Sequence, residues 1–217
     1  LRPEECAAIS ACFIRDLTST IAALEKEGRA AGYAVYTPVG SEAELRRLLP
    51  DGFGLIPQAE GDLGARLRHG ISDLMAEGHC GAILINSDSP TLPLETLRAA
   101  VEAVAAGDSI VLSPALDGGY TLVGLSKPHD EIFAGIPWST PDVFPLTIAR
   151  AEKHGIPVTL VPGWYDVDDE ASLALLESEI RGEPAIINGT KMKGADAPAS
   201  REFLLQRASR LAGAATS

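Results

Sequence analysis

The sequence predicts an α/β fold: a three-layer, mainly parallel sheet with helices on both faces. Three observations carry this. Apolar spacing switches repeatedly between the three-to-four period of helices and short runs suited to buried strands. One run, Gly81-Ala82-Ile83-Leu84-Ile85, is continuously apolar, as a strand covered on both faces must be. Aspartates stand just beyond two of the runs, where open α/β sheets place their ligand-binding loops.

The elements follow in order. Ile9, Cys12, Phe13, Leu17, Ile21 and Leu24 recur at helical spacing over 2–28, with Asp16 as the exception and Gly28 as the stop. Residues 33–37 form a strand, 42–49 a short helix and 53–56 a short strand. A loop over 58–62 enters a helix over 63–77. The strand 82–85 precedes a helix over 94–106, which Thr91 and Pro93 prepare. Strands at 109–113 and 120–124, a helix at 141–154, a strand at 157–161 and a helix at 170–180 complete the alternation. Residues 182–198 are a polar linker punctuated by Gly and Pro, and 200–211 form one more amphipathic helix. The expected organisation is one domain over 1–181, then a linker and peripheral helix over 182–217.

Composition narrows the function. With 217 residues, 46% hydrophobic and 22% charged, the chain suits one globular domain. A net charge of −12 argues against a nucleic-acid polymer or an anionic membrane as partner. An acidic protein that handles phosphates needs a cation at its site. No uninterrupted apolar run approaches the ~20 residues of a membrane span, and no signal-peptide pattern is visible. Cys6, Cys12 and Cys80 lack metal-ligand spacing and read as buried thiols of a cytoplasmic protein. No feature sets an oligomeric state.

Asp166-Val167-Asp168 is the most informative segment. If extended, it points both aspartates to one side and Val167 to the other. Two carboxylates about 4 Å apart, at an effective dielectric near 20, repel by roughly 4 kcal/mol. A divalent cation relieves that, and oxygen-only ligands suit Mg²⁺ or Mn²⁺. The competing reading is a solvated turn whose Asp169 caps the next helix. Asp88, just past the 82–85 strand, offers a second carboxylate at a strand end, and a shared ion accounts for both places. Asp88 also reads as a turn residue bonded to nearby backbone amides.

Three loops add candidates. Asp117-Gly118-Gly119-Tyr120 admits close backbone approach to a ligand, although in isolation a hairpin turn is the stronger reading. Trp138-Ser139-Thr140 precedes a helix; Ser139 or Thr140 serves as its cap, or the helix start receives an anion while Trp138 covers a sugar ring. Gln58, Gly61, Asp62, Gly64 and Arg66 enter a helix through two glycines, either to meet a nucleotide or as a tight loop capped by Asp62.

Five segments in this order, QAEGDLGARL, ILINSDSPTLP, LDGGYTLVGL, IFAGIPWSTPDV and YDVDDEASLALL, resemble the glycosyltransferase-A-like family known as radical-SAM/selenodomain-associated transferase 1. The resemblance covers roughly 1–180. It implies a nucleotide-diphospho-sugar transferase fold, distantly like nucleotidyltransferases of cofactor biosynthesis, with Asp88, Asp166 and Asp168 at the metal positions. The chain departs from the family at Asn86, where glycine is usual, and at Asp169 and Glu170, where threonine and proline are usual. Family members also open with a strand and a basic loop that approaches the nucleotide. The sequence starts beyond that point, so the expectation is of a chain incomplete at its amino end, its first strand belonging beside 82–85.

The leading expectation is glycosyl transfer from a nucleotide-sugar to a small acceptor, dependent on Mg²⁺ or Mn²⁺. Gln58, Gly61 and Arg66 face the nucleotide, and Asp117, Gly118 and Trp138 shape the sugar or acceptor side. The alternative is nucleotidyl transfer from a nucleoside triphosphate with release of pyrophosphate. A third is a non-catalytic nucleotide-binding relative.

Overall fold

Strands and helices alternate through most of the chain, in a computed structural model that describes residues 1–215. They are α1 (Pro3–Lys26), β1 (Tyr33–Tyr36), α2 (Glu42–Leu45), β2 (Gly54–Pro57), α3 (Leu63–Ala76), β3 (Ala82–Ile85), α4 (Leu94–Ala106), β4 (Ile110–Pro114), β5 (Tyr120–Leu125), α5 (Val143–Lys153), β6 (Val158–Leu160), α6 (Glu170–Ile180), β7 (Ala185–Ile187), β8 (Thr190–Met192) and α7 (Pro198–Ala215).

The strands pair in three groups. β1 and β2 are parallel; β7 and β8 form an antiparallel hairpin; the other four run in the order β3-β5-β4-β6. Within that sheet β5 opposes both β3 and β4, whereas β4 and β6 are parallel. The sheet is therefore mixed. The connection from Ala115 to Gly119 is too short for a crossover between parallel strands, which takes about a dozen residues or more.

Side-chain alternation along β4 and β5 builds the layers. Val111 and Leu122 face a core made with α1, α4, α6 and α7. Ile110, Leu112, Val123 and Leu125 face the opposite core, made with α3 and α5. β1 and β3 are not hydrogen-bonded to each other; an apolar cavity of about 680 Å³ lies between them, lined by both strands and by α1 and α4.

Several expectations are corrected. α2 is a single turn ending at Leu45, with turns rather than helix over 46–49. α5 starts at Val143, because Ser139 takes a left-handed conformation (φ 62°) and the chain reaches helical geometry only after Pro141. A short 3₁₀ turn at Asp130–Ile132 was not expected. Residues 182–217 hold the β7–β8 hairpin as well as a helix, and Ala185, Ile187 and Leu204 join the core of α1 and α4. Cys12 is buried, but Cys6 and Cys80 are exposed, one in the first turns of α1 and the other ahead of β3. Helix α1 is long and apolar enough to cross a membrane by length and composition, which a search for uninterrupted runs overlooks. Here it packs Ile9, Phe13, Leu17 and Leu24 into the core.

Asp16, the charged exception on the apolar face of α1, has a specific partner. Its carboxylate accepts from the backbone amides of Ala199 (3.0 Å) and Ser200 (2.8 Å) and from Ser200 Oγ (2.6 Å). It thus satisfies free N–H groups in the first turn of α7 from a neighbouring helix.

Candidate active site

The ends of β3, β4 and β6 carry the acidic residues. Beyond β3, the amide of Asn86 donates to the carbonyl of Thr121 (3.1 Å), extending the ladder by one residue before the chain turns to Asp88. Beyond β6, the amide of Trp164 donates to the carbonyl of Pro114 (3.0 Å), and Trp164 forms a parallel bridge with Ala115. Trp164 and Tyr165 are fully buried, so they anchor the segment that follows. Ser89 Oγ donates to the carbonyl of Tyr165 (2.8 Å), and the amide of Val167 to that of Asp88 (2.9 Å). Val167 packs against the core.

Asp117 arrives from the β4–β5 turn. The amide of Gly119 donates to its Oδ1 (2.9 Å), and Gly118 has φ 94°. A Cβ on Gly118 would lie 2.4 Å from the carbonyl oxygen of Pro141, so only glycine lets this turn pack on the entry to α5. Carboxylate oxygens of Asp117, Asp166 and Asp168 then lie within 4.8 Å of one another. Asp88 borders Asp166 and Asp168 without joining this tightest trio. Asp117, expected on the substrate side, is thus part of the acidic group.

Electrostatics follow from the crowding. Burial, then repulsion from Asp168 and Asp166, pushes the Asp88 carboxyl up to about 6. Burial, then repulsion from Asp117 and Asp168, pushes Asp166 up to about 6, partly offset by a hydrogen bond from Asn86. Among the described residues none of these aspartates has a lysine, arginine or histidine ion-pair partner. Asp88 Oδ1 and Asn86 Oδ1 are buried and unpaired. An all-oxygen, acceptor-only set with two orphaned oxygens fits a hard divalent cation.

The nucleotide-side candidates cluster at the start of α3. Asp62 caps the helix, accepting from the amide of Ala65 (2.8 Å). Arg66 donates through Nε to the Gly61 carbonyl (2.9 Å) and through a guanidinium nitrogen to Gln58 Oε1 (3.2 Å). A Cβ on Gly64 would lie 2.7 Å from the Phe133 carbonyl and 2.9 Å from Trp138 Nε1. Trp138, expected on the sugar or acceptor side, therefore sits against this loop. It is also edge-on to Tyr120, centroids 6.5 Å apart and planes at 87°. Burial, the larger influence, pushes up the Tyr120 hydroxyl, and Thr147 partly offsets it. Ser139 and Thr140 do not cap α5; Thr140 Oγ donates to the Pro137 carbonyl (2.8 Å).

Sequence reasoning missed the support beneath the site. Glu179 of α6 accepts from Tyr165 Oη (2.5 Å), Thr91 Oγ (2.8 Å) and the amide of Gly194 (3.0 Å). Trp164 Nε1 donates to Thr91 Oγ (3.2 Å). Burial, the largest influence, raises the Glu179 carboxyl. These residues come from distant segments, and no local spacing signals their meeting.

The architecture is a mixed α/β fold with acidic residues gathered beyond the ends of its strands. Residues 20–140 match the family of uncharacterized proteins conserved in bacteria, DUF2064, and the chain belongs to that family. A protein of Desulfovibrio desulfuricans, provisionally named a nucleotide-diphospho-sugar transferase, has the same fold, with a TM-score of 0.75 and 21% identity over 95% of this chain and 84% of that one. A 4-diphosphocytidyl-2C-methyl-D-erythritol synthase aligns more loosely, with a TM-score of 0.48 and 12% identity over 68% of this chain and 80% of that one. No curated protein matches the sequence.

Proposed function

We propose that the protein is a metal-dependent transferase that moves a glycosyl group from a nucleotide-sugar to a small acceptor. The observation that carries this reading is the gathering of Asp88, Asp117, Asp166 and Asp168 without a cationic partner among the described residues, beside buried, unpaired oxygens. Asp88, Asp166 and Asp168 would hold Mg²⁺ or Mn²⁺, with Asp117 alongside. When bound, the ion neutralises the donor diphosphate and the charge that develops on the leaving nucleoside diphosphate.

The chain's own residues bind and orient. Gln58, Gly61, Asp62 and Arg66 face the nucleotide at the α3 start, and Trp138 over Gly64 supplies an aromatic wall. Gly118, Gly119, Tyr120, Ser139 and Thr140 shape the acceptor side. A cytoplasmic setting is part of this reading and is supported by three free cysteines.

Nucleotidyl transfer would use the same aspartates. The deciding experiment incubates the protein with Mn²⁺ and a panel of nucleotide-sugars and nucleoside triphosphates. Binding is followed by thermal shift and products by chromatography. Metal-dependent release of nucleoside diphosphate from one nucleotide-sugar supports the proposal. Pyrophosphate release from a triphosphate replaces it with the alternative, and binding without turnover replaces it with a non-catalytic role.

A further inference from the structure

We infer that Asn86 is a positioning residue of this site, its amide holding Asp166 through Nδ2 and offering the bound cation a neutral oxygen through Oδ1. The inference rests on the metal-dependent reading above. Asn86 ends β3, its backbone pinned by the hydrogen bond to Thr121. Its Nδ2 lies 3.4 Å from Asp166 Oδ2, a long contact whose direction is set by chemistry. An ionised carboxylate only accepts, so the amide must present its NH₂ end to it. That choice fixes the role of the other end. Oδ1 is an acceptor, and it is buried without a partner.

Among the described residues it meets no hydrogen-bond donor. Asp88 Oδ1 is likewise buried and unpaired, and Asp117, Asp166 and Asp168 are acceptors when ionised. A divalent cation held by these carboxylates would give the Asn86 oxygen a partner, and amide carbonyls are established ligands of hard cations. Neutrality suits the place, because a carboxylate here would add a like charge to four already crowded together.

The test is calorimetric titration with Mn²⁺ alone on the wild type, Asn86→Gly and Asn86→Asp, with thermal melts of each with and without Mn²⁺. Asn86→Gly should weaken Mn²⁺ by about 10-fold or more. Asn86→Asp keeps a ligand oxygen and should bind Mn²⁺ at least as tightly as the wild type. It should also melt lower without metal and gain more from Mn²⁺. A merely structural role would not produce this rescue. Asn86→Leu, of similar volume, reads the same loss should the glycine variant fail to fold. Equal Mn²⁺ affinity in the wild type and Asn86→Gly overturns the inference and leaves the proposed function standing. Loss in both Asn86→Gly and Asn86→Asp overturns the oxygen assignment. No Mn²⁺ binding by the wild type overturns the inference and the metal-dependent function together.

Discussion

The amide of Val167 donates to the carbonyl of Asp88 across 2.9 Å, so two acidic segments distant in sequence share a backbone link. Ser89 Oγ adds a second link, to the carbonyl of Tyr165. These two links hold the segments together without using the carboxylates of Asp88 or Asp168. Their side chains are therefore removable without undoing the framework that gathers them.

Substitution of the acidic side chains should separate metal binding from folding. Asp168→Ala and Asp88→Asn are expected to weaken Mn²⁺ by about 100-fold or more, and to leave the metal-free melting temperature unchanged or slightly raised as repulsion is relieved. Asp169→Ala should do the reverse. Its Oδ1 caps α6 by accepting from the amide of Ser172 (2.8 Å), so its loss should lower melting by about 2–4 °C with Mn²⁺ affinity nearly intact. Calorimetric titration beside a melt of each variant distinguishes the two patterns. Wild-type Mn²⁺ affinity in Asp168→Ala would sink the shared site.

The raised carboxyls give a pH signature of known sign. Asp88 and Asp166 ionise near 6 in the folded protein and near 4 when unfolded, so between these values the native state holds more protons. Their contribution to stability is full below about pH 4 and is lost as pH rises through about 6. A cation displaces those protons, so Mn²⁺ affinity should climb across the same window and level off above it. Urea melts of the wild type and of the Asp88→Asn, Asp166→Asn double variant, from about pH 4.5 to about pH 7, would show the difference. The wild type should lose stability relative to the variant as pH rises. Parallel curves would mean that these carboxyls titrate normally.

Gly64→Ala tests the contact between α3 and Trp138. In an unobstructed helix this change would stabilise by about 1 kcal/mol. Here the added Cβ meets the Phe133 carbonyl and the Trp138 ring, and overpacking of this kind costs about 1–3 kcal/mol. A urea melt showing net stabilisation would contradict the close approach.

Asp16→Ala should detach α7. Three donors in the first turn of that helix lose their acceptor, and Asp16 is 2% exposed, so water does not readily replace it. The expected cost is about 2–4 kcal/mol in a urea melt. Hydrogen exchange should show loss of protection in α7 before the rest of the fold.

Legibility in the sequence followed the range of the interactions. The long helices and the runs forming β3, β4, β5 and β6 were readable, because periodicity and apolar continuity are local properties. The acidic strand ends were readable for the same reason. The β7–β8 hairpin had a local signal that went unread: Asn188 (φ 49°) and Gly189 (φ 81°) form the Asn-Gly turn between Ile187 and Thr190. The surrounding polar residues masked it, because each strand is only three residues long. Asp117 joined the acidic group for a reason no spacing reveals, namely that Gly118 lets its turn lie against Pro141. Asp16 looked like a defect in an apolar face until its partner in α7, far along the chain, was in place.

The two tryptophans sit in contrasting surroundings. Trp164 is completely enclosed, with its indole N–H on Thr91 Oγ, whereas Trp138 is partly exposed over the start of α3. The molecule thus contains two fluorophores at distinct stations. Emission from Trp164 reports whether the interior is intact and shifts to the red on unfolding. Emission from Trp138 reports on its contact with the start of α3. Replacing Trp138 by Phe leaves a single-channel reporter of denaturation, and the difference spectrum against the parent isolates the environment at the start of α3 without any attached dye.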